Sequence, residues 1–147
     1  MPQPKDFKFS SNIGTSSVFA ISPETWLCSS ENSTLLDKAN DEVPGQTLYL
    51  ADLSHAWTRI ILSGEESSTL LMRGFPVDLS NAEFPEFRFA KSVIHGMPLL
   101  IHRLGKTSAK GSHDTGAIFD LYVQRSFAVS FWEWLVMHAS SFSYKVV

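Results

Sequence analysis

The chain has 147 residues, 44% hydrophobic, 18% charged and 12% aromatic, with a formal net charge of −3. That length supports one domain with a real core, and that composition excludes a disordered chain. The lone cysteine, Cys28, excludes an internal disulfide, and the acidic balance excludes a wholly basic nucleic-acid binder.

Residues 1–15 read as a loose leader, with a short strand at 7–10. Two prolines, two lysines and no apolar stretch in the first nine residues do not make a secretory signal. No uncharged apolar window of membrane-spanning length occurs. The most apolar stretch, 117–139, contains Asp120, Gln124, Arg125 and Glu133, which are costly at a bilayer centre. These features predict a soluble, cytoplasmic protein with no membrane contact.

Residues 18–21 are β-branched and aromatic and predict a strand, stopped by Ser22-Pro23. A second short strand is expected through Trp26, Leu27 and Cys28. Residues 29–46 are polar, with room for a short helix at 34–40 capped by Ser33. Strands are expected at 46–51 and 56–62, and the apolar run 69–73 predicts a hairpin with 56–62 across the turn at 63–68. Ser80 and Glu83 have capping-box spacing, but Pro85 forbids a long helix there. Phe87, Phe89 and Lys91 alternate with Arg88 and Ala90, as in a strand, and 98–104 is a strand by composition.

Residues 105–116 form a loop of lysines, serines and glycines, and 116–123 fits a strand or a helix equally well. After Arg125 the polar residues Ser126, Ser130 and Glu133 recur at spacings of four and three. This predicts a largely buried helix over 126–138 with a narrow polar stripe. The tail at 142–147 alternates and reads as a final strand. No internal repeat or linker interrupts the chain. The expectation is one α+β domain, mainly an antiparallel sheet packed by one long C-terminal helix, with an all-β fold as the alternative.

Charge is unevenly spread. Residues 1–87 carry net −7, residues 88–125 net +4, and residues 126–147 are neutral. The basic block holds His95, His102 and His113. It offers Arg88, Lys91, Arg103, Lys106 and Lys110 as a binding surface for an acidic or phosphate-bearing partner. Its linear contrast with the acidic half fits equally well if the two halves face each other within the fold.

Catalytic motifs are sparse. One cysteine and three histidines spaced by seven and eleven residues match no standard metal site, and no metal or other cofactor is expected. Gly105-Lys106-Thr107 follows a strand, but Leu100 stands where a phosphate loop needs its first glycine. Ser112-His113-Asp114 is no triad, because triad members converge from distant segments. An enzyme acting on phosphodiesters would draw its base, acid and cation from His102, His113 and Lys106. Trp132 and Trp134 are about 200° apart on a helix, so one of them faces solvent, a loop or a partner.

The first expectation is therefore a small non-enzymatic binding protein of inhibitor, immunity or adaptor type. It would dock on a larger protein partner through its acidic N-terminal half. The alternative is a phosphodiester-directed enzyme or nucleic-acid binder working through residues 88–125.

Overall fold

A computed structural model describes residues 16–30, 49–105 and 116–147. The chain divides into two compact units, Met1–Asp52 and Leu53–Val147. The architecture is α+β: the described residues form two antiparallel sheets with a C-terminal helix. Expectations for residues 7–10, 34–40, 46–48 and 106–115 lie outside the described residues.

In the first unit, β1 (Ser17–Ser22) pairs antiparallel with β2 (Thr25–Ser29), from Ser17 opposite Ser29 to Ser22 opposite Thr25. Pro23 and Glu24 make the turn, as the Ser22-Pro23 stop signal predicts. Alternation sends Phe19 to a buried position and leaves Trp26 and Cys28 exposed. Cys28 still loses part of its water to its neighbours, and that partial desolvation pushes the thiol pKa up by disfavouring the thiolate.

The second unit holds a four-stranded antiparallel sheet. Its strands are β3 (Trp57–Gly64), β4 (Phe89–Ile94), β5 (Met97–Leu104) and β6 (Ala117–Gln124), in the spatial order β3-β6-β5-β4. The β4–β5 hairpin turns on His95 and Gly96, whose φ angles of 47° and 80° fit the left-handed two-residue turn that matches strand twist. The stretch that fitted a strand or a helix is thus a strand, and β6 is an inner strand of the sheet.

The apolar run at 69–73 is not a strand partner for β3. Residues Ser67–Met72 form a short helix, α1, and β3 pairs with β6 instead. Adjacent Leu70 and Leu71 are both buried, with Phe75 below them, a pattern one strand face does not produce. The tail at 142–147 and residues 49–51 form no strand, and 80–84 is a turn rather than a capped helix. Ser80 N–H there donates to the Asp78 carboxylate at 2.8 Å, which holds the Asp78 pKa down.

The C-terminal helix, α2 (Ala128–Ala139), follows a 3₁₀ turn at Arg125–Phe127. Phe131, Trp134, Leu135 and Ala139 face inward at helical spacing. They pack with Leu70, Leu71 and Phe75 and with Leu99, Ile101, Phe119, Leu121 and Val123 from one face of the sheet. Each such large side chain contributes about 1.5–3 kcal/mol on burial. The helix is not largely buried, however. Val129, Trp132 and Met137 stay exposed on its outer side.

Candidate functional site

Strand parity sorts the second unit's polar groups. Register places Arg59, Asp120, Tyr122, Leu100 and His102 on the sheet face opposite the α2 core, with Asp120 between Ile61 and His102. Asp120 is fully buried, and both carboxylate oxygens are engaged. Arg59 Nε donates to Oδ1 at 2.7 Å, and the Tyr122 hydroxyl donates to Oδ2 at 2.8 Å. Arg59 remains 39% exposed, so one end of this ion pair reaches water. Burial pulls the His102 pKa below the usual imidazole range; the Asp120 charge pushes it up, and the Arg59 charge pushes it down. The Arg59 bond joins β3 to β6, and the carboxylate is held by Arg59 and Tyr122.

Arg103, one residue on, points to the core face and organises the segment before β4. Its Nη1 donates to the carbonyls of Phe84 at 2.8 Å and Leu79 at 3.4 Å, and its Nη2 donates to Asn81 Oδ1. The guanidinium carbon lies 5.7 Å from the Phe119 ring centroid. Backbone bonds complete the attachment: Phe87 N–H donates to Arg103 O at 2.8 Å, and Arg103 N–H donates to Arg88 O at 2.9 Å. Phe87 takes a left-handed φ of 64° there, with its ring filling the space above Gly105. Beside Arg103 opens a cleft of about 260 Å³, lined also by Ser68, Ser80, Asn81, Glu65 and Ala117.

The residues singled out from the sequence do not form one surface. His113, Lys106 and Lys110 lie outside the described residues. His102 and Arg103 are both 5% exposed, on opposite faces of β5, so the basic block is not a continuous external patch. Arg88 is half-buried and donates to Glu83 O at 2.5 Å, whereas Lys91 is exposed on β4. Trp132 is on the surface and Trp134 is in the core. Among the described residues no group of three His, Cys, Asp or Glu side chains is placed to hold a metal.

Trp134 sits between Phe131 and His138, with ring centroids 5.9 and 4.5 Å away. Gly74 makes room for it, because a Cβ there would stand 2.6 Å from the indole. His138 Nδ1 lies 2.8 Å from the Trp134 carbonyl, which only accepts; the proton is therefore on Nδ1.

Sequence reasoning put one of Trp132 and Trp134 on an outer face but missed the rest of the outer side of α2. Val129, Trp132, Val136 and Met137 recur there at helical spacing, with Glu133 as the charged member. Their periodicity was legible, but it is masked by an inner stripe that is equally apolar.

No protein-family model matches the chain, and no curated protein matches it. Among solved structures it is similar to a chain of the heterotetrameric sarcosine oxidase from Corynebacterium sp. U-96, a complex containing pyrrole 2-carboxylate. The TM-score is 0.74 at 24% sequence identity over 90% of this chain. This chain spans 63% of the matched one. The likeness is one of fold, and it corrects the expectation of an inhibitor-, immunity- or adaptor-type protein. The matched chain belongs to a heterotetrameric enzyme. Of the residues in the alternative built on 88–125, His102 and Arg103 are buried, Lys91 is exposed, and Lys106, Lys110 and His113 lie outside the described residues. Among the described residues no helix is long and apolar enough to cross a membrane.

Proposed function

We propose that this chain is a subunit, or part of a subunit, of a hetero-oligomeric oxidase of the sarcosine oxidase kind. In this reading it binds a partner subunit through the outer side of α2. The observation that carries the reading is the shared fold with a chain of a heterotetrameric oxidase. The exposed side of α2 supports it. Val129 is 71% exposed, Met137 63% and Trp132 39%, on a helix whose inner side is already packed. Aromatic and Met side chains are enriched in the buried centres of protein interfaces.

The test is purification of the tagged chain from its native source, followed by an oxygen electrode. The expected result is a stoichiometric complex that takes up oxygen when sarcosine is added. A complex lacking any amine-dependent oxygen uptake would remove the oxidase assignment.

A further inference from the structure

We propose that the cleft beside Arg103 binds a small monovalent anion, with a short-chain carboxylate as the fitting class. This goes beyond the subunit assignment and does not depend on it. Arg103 is 5% exposed, and its acceptors are the neutral oxygens of Leu79, Phe84 and Asn81. The ion pair found among the described residues, Arg59 with Asp120, does not involve it. A buried cation whose hydrogen-bond acceptors are all neutral favours an anion brought close to it. A guanidinium has five N–H donors in a fixed fork, and these three bonds do not use them all.

The surrounding wall fits that role. Ser68, Ser80 and Asn81 line the cleft with Arg103. The wall is fixed in place, because the buried Ser67 hydroxyl lies 2.7 Å from Gly64 O and 2.8 Å from Ala117 O, joining α1 to the start of β6. At about 260 Å³ the cleft is below the size of drug-sized ligand pockets and suits a ligand of a few heavy atoms. Glu65 also lines it. A carboxylate in the wall repels a second negative charge, so monoanions are favoured over phosphate or sulfate.

The test is an amide NMR titration of the full chain with acetate and, separately, with sulfate at constant ionic strength. Acetate is expected to give saturable shifts at Asn81, Gly116 and Ala117, and sulfate is not. Ser68→Leu narrows the cleft without touching an Arg103 bond and is expected to abolish the acetate response with an unchanged melting temperature. If that variant melts early, Ser80→Leu probes the same wall. Glu65→Gln is expected to make the sulfate response saturable. Absence of a saturable acetate response in the wild type, equal responses to both anions, or a response that survives the leucine variants would overturn the proposal.

Discussion

The Arg103 guanidinium donates to the Phe84 carbonyl at 2.8 Å across 19 residues of sequence. That bond makes a core-facing side chain of β5 the fastening point for the irregular segment before β4. Replacing Arg103 with alanine strands the Phe84 and Leu79 carbonyls and the Asn81 amide in partly buried positions. Because each unsatisfied group costs on the order of 1–3 kcal/mol, the expected loss is about 3 kcal/mol by urea unfolding. Arg103→Lys keeps the charge but loses the planar fork, so it should recover less than half of that loss. Full recovery by lysine would show that charge alone holds the segment.

Arg59 and Asp120 are unequal partners, and their substitutions should be unequal too. Alanine at Arg59 leaves a fully buried carboxylate with the Tyr122 hydroxyl as its remaining partner from this network. Breaking a buried pair in this way should cost about 3 kcal/mol, at the low end because Arg59 reaches solvent. Asp120→Asn keeps an acceptor for Arg59 and frees that side chain to water, so about 1 kcal/mol is expected. Equal losses in denaturant titrations would contradict the burial asymmetry.

His102 gives the fold an acid-side weakness. Its pKa is lowered on folding, chiefly by burial, so the unfolded chain binds its proton more readily. Stability is unaffected above the unfolded value near 6.5 and falls as pH drops below it toward the folded value. Melting temperature should therefore decline from about pH 6.5 downward, and His102→Gln should flatten that part of the curve. Parallel curves for the two proteins would show that another group controls acid stability.

Two glycines separate crowding from backbone strain. A Cβ on Gly116 would stand 2.0 Å from the Gly64 carbonyl carbon, a backbone atom that cannot turn aside. One on Gly96 meets nothing within 4 Å, but the φ of 80° disfavours any L side chain. Gly96→Ala should cost about 1–2 kcal/mol. Gly116→Ala should cost visibly more or prevent folding. The reverse order by thermal melting would mean that the β3–β6 junction relaxes easily.

Much of the architecture was legible in residue patterns. The β-branched run at 18–21, the stop at Ser22-Pro23 and the apolar spacing of Phe131, Trp134 and Leu135 each name an element that is present. The short runs were ambiguous. Thr69 to Met72 is too short for periodicity to separate helix from strand, and burial of adjacent leucines decided for a helix. The site was less legible, because composition does not reveal which way a side chain points. Alternation along β5 puts neighbouring His102 and Arg103 on opposite faces, and three neutral acceptors draw Arg103 inward. Two adjacent members of the charge block thus entered separate internal networks. Beyond Trp132, the outer stripe of α2 was hidden because Val129 and Met137 resemble core residues by type.

The assignment to an enzyme assembly is tested most directly by the native mass of complexes purified through the tagged chain. Wild type should be compared with a Val129→Glu/Trp132→Glu variant. Both substitutions lie on the exposed side of α2, so the isolated chain should keep its melting temperature within a few degrees. The expected result is a hetero-oligomer for wild type and the chain alone for the variant. Wild type recovered alone would contradict the assignment, and a variant that retained its partners would remove α2 as the contact surface.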